Sequence, residues 1–128
     1  MAAHLRTGRL GERAARAHLE GIGLKFLAAN ARLRRGEIDL VFREGDCLVF
    51  VEVKTRAVGS LLRPAAAVDA RKRLALAHAA LDYLRLLGNP KVAFRFDIVE
   101  VRLDAERVCE VSHWPNAFVL PGRLRYAR

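Results

Sequence analysis

The 128-residue chain is short of cysteine, aromatic residues and acid, and each shortage excludes something. Two cysteines, Cys47 and Cys109, with no C-x-x-C pair, argue against a disulfide framework or a thiolate metal site. Each sits in an apparent strand and reads as a reduced core thiol. No basic amphipathic helix carries bulky aromatics, so a membrane surface is not an expected partner. No apolar run approaches the roughly 20 residues of a membrane span. Met1-Ala2-Ala3-His4-Leu5-Arg6 lacks the apolar centre of a signal peptide, so a cytoplasmic location is expected. No phosphate-binding glycine loop, dinucleotide turn or Ser/His/Asp pattern appears. His4, His18, His78 and His113 lack metal-ligand spacing and read as structural or surface residues.

What remains is a basic chain with a substantial apolar fraction. Hydrophobic residues make up 52% and mean hydropathy is +0.06, which fits a soluble globular protein. The length fits one domain, expected over 1–118, with a loose basic tail over 119–128. Against 14 acidic residues stand 23 basic ones, a net charge of +9. Only Lys25, Lys54, Lys72 and Lys91 are lysines, so nineteen are arginine. Arginine offers planar bidentate contacts to phosphate. A polyanion, nucleic acid above all, is the implied partner.

The apolar periodicity predicts the order α-β-β-β-α-β-β, hence a mixed α/β sheet flanked by helices. A helix is expected over 8–21, capped by Thr7 and ended by Gly21 and Gly23. Its apolar side is Leu10, Ala14, Ala17 and Ala15, Leu19, Ile22. Strands follow at 24–33, 37–43 and 47–54, with turns at Arg34-Arg35-Gly36 and Glu44-Gly45-Asp46. In the second, Ile38, Leu40 and Phe42 share one face and Glu37, Asp39 and Val41 the other. The third is apolar on both faces and reads as central, with Glu52 and Lys54 on the face of Leu48 and Phe50. A second helix starts at Pro64 or Asp69 and runs to Leu87, with Leu74, Ala77, Leu81 and Leu84 as its stripe. Strands at 92–103 and 107–113 complete the set, and Pro115-Asn116-Ala117-Phe118 reads as a short turn or helix.

The second and third strands carry ionisable groups inside apolar runs, Gly36-Glu37-Ile38-Asp39-Leu40 and Val51-Glu52-Val53-Lys54. An unpartnered buried carboxylate costs several kcal/mol, so such strands imply a partner, and a divalent cation is the direct candidate. Glu52 and Lys54, two apart, share a face about 6.6 Å from one another along the strand. In an antiparallel hairpin turning at 44–46, Asp39 falls opposite Glu52. Two carboxylates, the Val53 carbonyl and water make an all-oxygen set that suits Mg²⁺ or Mn²⁺. Lys54 is placed to orient a water or stabilise developing charge. Glu12 completes the shell if its helix packs by the sheet edge. It equally reads as an exposed ion pair with Arg9, Arg13 or Arg16, and the Glu-x-Lys triplet as a strand-end salt bridge. Glu37 reads as solvated. Arg34, Arg35, Arg56, Arg71, Lys72 and Arg73 are the candidate phosphate contacts; the run at 71–73 also reads as a solvated helix face.

At these residues the chain resembles the YraN family, also called UPF0102, small bacterial proteins regarded as endonucleases and distantly similar to archaeal Holliday junction resolvases. The resemblance spans about residues 8–118. It includes Gly11-Glu12 with Ala15, Asn30 and Arg32, Gly36-Glu37-Ile38-Asp39-Leu40, and Phe50-Val51-Glu52-Val53-Lys54-Thr55-Arg56. It continues through Lys72, Arg95-Phe96-Asp97, His113 and Asn116-Ala117-Phe118. It implies a restriction-endonuclease-like fold of the PD-(D/E)xK type. It also implies metal binding by Glu12, Asp39 and Glu52, with Lys54 assisting. Ile38 stands where that motif has its proline, and Arg73 follows Lys72 where many relatives carry glutamine.

Three functions are compatible with these features. One is a Mg²⁺- or Mn²⁺-dependent endonuclease on DNA, branched DNA included, with a homodimer suited to treating two strands. Another is a nucleic-acid-binding module without turnover. The third is an assembly factor that uses the apolar loop Val58-Gly59-Ser60-Leu61-Leu62-Arg63 as its contact.

Overall fold

A computed structural model describes residues 2–59, 69–122 and 124–126, with side chains from Thr7 onward. The elements are α1 (Ala2–Gly21), β1 (Lys25–Leu33), β2 (Gly36–Glu44), β3 (Cys47–Ala57), α2 (Ala70–Leu86), β4 (Ala93–Asp104) and β5 (Arg107–Phe118). The strands form one sheet in the order β1-β2-β3-β4-β5. All neighbours are antiparallel except β3 and β4, which run parallel because α2 carries the chain across. This is the mixed sheet with flanking helices expected of a restriction-endonuclease-like fold. Among the described residues no helix is long and apolar enough to cross a membrane.

Each helix covers one face of the sheet. Ala15 and Leu19 of α1 pack with Leu40, Phe42, Val49, Val51, Val99 and Val101. Leu76, Ala77, Ala80 and Leu84 of α2 pack with Ile38, Val41, Leu48, Phe50 and Phe96. β3 contributes to both clusters, which explains its unbroken apolar run and its central place.

Several expectations need correction. α1 starts at Ala2, not after a Thr7 cap, because residues 2–6 include Ala2, Ala3, Leu5 and Arg6, all strong helix formers. Within it Ala17 is exposed, and Ile22, past its end, is 53% exposed, so the buried stripe narrows to Ala15 and Leu19. In α2 the buried apolar residues are Leu76, Ala77, Ala79, Ala80 and Leu84, Leu81 packs half-buried beside them, and Leu74 faces outward. Leucine and alanine occur all round this helix, so periodicity alone did not fix its face. The small side chains matter: a Cβ on Gly36 would stand 3.3 Å from the Ala75 carbonyl. Asp69, not Pro64, caps α2, accepting from the Lys72 N–H at 2.9 Å. Pro64 and most of the loop from Val58 to Arg63 lie outside the described residues.

β2 also departs from simple alternation. Ile38 packs on the α2 side, whereas Leu40 and Phe42 pack on the α1 side. The phase slips where the β2–β3 ladder ends, at Leu40 opposite Val51. β5 does not stop at residue 113; it continues through Pro115 to Phe118. Asn116 adopts φ 50 and donates its N–H to Asp97 Oδ1 at 2.9 Å, after which Phe118 pairs with Phe96. Cys47 is half-buried but Cys109 is exposed, so only the first fits a core thiol. The tail is not loose where described. Leu120, Leu124 and Tyr126 pack on the α2 side, and the Tyr126 hydroxyl donates to the Pro90 carbonyl.

The β1–β2 turn is anchored to α2 by an ion pair. Arg35 Nη2 lies 2.7 Å from Asp82 Oδ1, and the Arg35 N–H donates to Oδ2 at 3.1 Å. Arg35 hydrogen bonds hold the buried Asp82 carboxyl below the usual range. Replacing Arg35 with Met leaves that carboxylate without its main partner and is expected to destabilise by about 2 kcal/mol near neutral pH. A depressed carboxyl contributes stability above its unfolded value and loses it as pH falls. The deficit of Arg35→Met therefore shrinks below about pH 4, which urea denaturation at pH 7 and pH 3.5 would measure. An unchanged deficit would contradict this role.

Candidate functional site

The sequence places Asp39 and Glu52 on adjacent strands, and the fold brings them to the point where those strands part. Beyond Leu40 and Val51 the β2–β3 ladder stops. There Asp39 Oδ2 replaces a backbone acceptor and receives the Val53 N–H at 2.8 Å. Asp39 and Glu52 thus meet beyond the ladder's end, not as a regular cross-strand pair. The Val53 N–H is committed to Asp39, and Asp39 Oδ1 stays outside that bond.

Glu52 is buried, 6% exposed, on the α2 face of β3. Its Oε2 is 3.3 Å from Lys54 Nζ and 3.5 Å from Lys72 Nζ. Lys54 is the expected neighbour. Lys72 comes from the first turn of α2, where the sequence suggests a phosphate contact or a solvated helix face. Topology carries the missed signal: a parallel β3–α2–β4 crossover starts its helix over the C-terminal end of β3.

Glu12 reaches the region from α1. Asn30 Nδ2 donates to Glu12 Oε1 at 3.1 Å, tying α1 to β1. Asn30 holds φ 50, a conformation that asparagine tolerates better than most residues. α1 lies close to β3 because residue 11 is glycine: a Cβ there would stand 1.9 Å from Thr55 Oγ1. Asn30 and Gly11 are positioning residues that charge and spacing alone did not single out.

The three acids feel one another. Burial, then the charges of Glu52 and Glu12, push the Asp39 carboxyl from 3.8 up to about 7, against the Val53 hydrogen bond and the charge of Lys72. Such a cluster gains from a proton or a cation. The oxygen-only donors suit a hard divalent ion. Among the described residues no three His, Cys, Asp or Glu side chains stand as a ready-made metal cage. Asp39 and Glu52 would therefore hold an ion with water filling the remaining positions.

The other basic candidates differ in their surroundings. Arg35 is engaged by Asp82, with Nη1 2.8 Å from His78 Nδ1. Arg56 Nε lies 2.9 Å from Glu100 Oε2, a buried carboxylate opposite Lys54 on β4. Arg73 sits over the Phe118 ring at 5.8 Å. Arg34 and Arg71 are exposed.

Arg95, Asp97, His113 and Asn116 belong to a separate network. Asp97, fully buried, accepts from Arg95 Nε at 2.9 Å and from the Asn116 N–H, and lies 2.7 Å from His113 Nε2. Arg95 Nη1 reaches Glu44 Oε1 at 2.6 Å. Its partners are satisfied, and it ties β5 to β4 and the β2–β3 turn.

A mixed five-stranded sheet with acids and lysines gathered at the end of its central strand defines the class of protein. The model of "Uncharacterised protein family UPF0102" matches residues 11–101, and the chain belongs to this family. It is 41% identical over 120 residues to a UPF0102 protein of Syntrophus aciditrophicus, covering 94% of each chain. A UPF0102 protein of Moorella thermoacetica is 43% identical over 114 residues, 88% of this chain and 95% of that one.

Proposed function

We propose that the chain is a Mg²⁺- or Mn²⁺-dependent endonuclease acting on DNA, branched DNA included. The carrying observation is the convergence of Asp39, Glu52, Lys54 and Lys72 where β2 and β3 part, in a chain of net charge +9. A hard divalent ion held there supplies an acidified water and neutralises charge on the scissile phosphate. Asp39 and Glu52 are the holding residues, and Glu12, fixed by Asn30, stands as a third acid. Lys54 orients the attacking water or stabilises the developing negative charge. Lys72, paired to Glu52, is the second cation for a phosphate oxygen.

A binding-only reading has its own support, because Glu52 already has two ammonium partners. Both readings predict salt-sensitive binding, each phosphate contact adding about 0.9 to the log–log slope on duplex DNA. Turnover separates them. Labelled linear, flap and four-way DNA are incubated with Mg²⁺ or Mn²⁺ and either the parent or Glu52→Gln. Metal-dependent cleavage by the parent alone is expected. Binding without cleavage would reject the nuclease; equal cleavage by both proteins would reject the role of Glu52.

A further inference from the structure

An open groove of about 1090 Å³ runs between α2 and the chain leaving β5. Arg73, Leu74 and His78 form one wall; Phe118, Leu120 and Pro121 form the other. Among the described residues no Asp or Glu lines it. Phe118 lies flat on Phe96, with ring centroids 4.8 Å apart and planes 6° apart. The ring is therefore already fixed before any ligand arrives. The Arg73 guanidinium is 5.8 Å from its centroid, near the outer end of cation–π range. Leu74 adds exposed apolar surface. Arg73 directly follows Lys72, whose ammonium group faces Glu52. The first turns of α2 thus carry residues of both the groove and the candidate site.

We propose that this groove receives a single-stranded flank of the nucleic-acid substrate. Bases pack on Phe118 and Leu74, and the phosphates pass Arg73. An aromatic platform beside a cation is how proteins hold unpaired strands without reading sequence. A duplex keeps its base faces stacked inside and offers none to Phe118. The acid-free lining suits a polyanion and disfavours a basic peptide. The inference rests on the nuclease reading for its biological setting. It narrows the substrate class to DNA with an unpaired arm next to the cleaved phosphate.

The test is fluorescence anisotropy in EDTA with a labelled oligothymidine and a duplex of equal length. Parent, Leu74→Glu and Arg73→Gln are compared, with sedimentation run on each. Leu74→Glu adds a negative charge at an exposed helix position, so folding is retained. It is expected to weaken oligothymidine binding about tenfold while duplex binding changes less than about twofold. Arg73→Gln shifts oligothymidine binding in the same direction. No oligothymidine binding by the parent, or equal loss for both ligands, would overturn the inference. So would a dimer that Leu74→Glu splits with oligothymidine binding intact, since the groove would then be a self-interface. Cleavage is not read, so single-strand selectivity in a chain that never cleaves would sink only the nuclease reading. Cleavage without that selectivity would sink only the groove.

Discussion

Asp39→Asn is expected to lower metal-dependent cleavage by at least about a thousandfold while leaving the fold in place. Asparagine keeps an oxygen to receive the Val53 N–H, so the parting of β2 and β3 is preserved. It removes the charge that a divalent ion would need. The same change has a second, opposite signature in the metal-free chain. Asp39 titrates near 3.8 when unfolded and at about 7 when folded. A carboxyl raised in this way adds stability that is fully present below the unfolded value and is lost as pH rises through the folded one. With a chelator present, the parent is expected to lose up to a few kcal/mol between pH 4 and 7.5 through this group. Asp39→Asn lacks that slope. Thermal melting across this range, with and without Mg²⁺, reads both effects. Equal slopes in parent and variant would remove Asp39 from a buried acidic cluster, and undiminished cleavage would remove it from the chemistry.

Gly11→Ala is expected to damage stability and activity together. The helix interior would normally gain from alanine by about 1 kcal/mol. Here the new methyl carbon would stand 1.9 Å from Thr55 Oγ1, 3.0 Å from its Cβ and 3.2 Å from its Cγ2. Thr55 is β-branched and stiff, so it cannot swing clear, and α1 must move away from β3. Overpacking of this kind costs about 1–3 kcal/mol. The shift carries Glu12 away from Asn30 and from the neighbourhood of Asp39, so cleavage is expected to fall more than stability alone explains. Thr55→Ala removes Oγ1, the nearest atom, and Cγ2, leaving only Cβ at 3.0 Å, and is expected to restore part of both losses in the double variant. A Gly11→Ala protein with parental melting and cleavage would mean that the close approach is unimportant. Failure of Thr55→Ala to rescue would place the damage elsewhere.

The helices, strands and central position of β3 were legible because their signals are local. Alternating or continuous apolar runs survive without knowledge of neighbours, and Gly45 marks a turn that is present, with φ 59. The Asp39–Glu52 neighbourhood was legible because hairpin register follows from the turn, and the ladder from Glu44–Cys47 to Leu40–Val51 keeps that register. What remained hidden depends on contacts distant in sequence. Lys72 reaches Glu52 only because α2 folds back over β3. Leu74 and Ile22 look like core residues until packing leaves them outside. Ile38 changes face because its strand leaves its partner, an event that no binary pattern records. β5 passes through Pro115 because buried Asp97 captures the Asn116 N–H. Arg35 looked like a phosphate ligand and serves Asp82, since charge counts do not reveal which arginines have buried acidic partners.

The central claim is that Asp39 and Glu52 jointly grip one hard cation beside Lys54. Titration of the parent, Asp39→Asn and Glu52→Gln with Mn²⁺, followed by electron paramagnetic resonance of the free ion, tests it most directly. One strong site in the parent, lost in both variants and competed by Mg²⁺ in the parent, is the predicted result. A site that survives both substitutions, or a parent that binds no Mn²⁺, would contradict it.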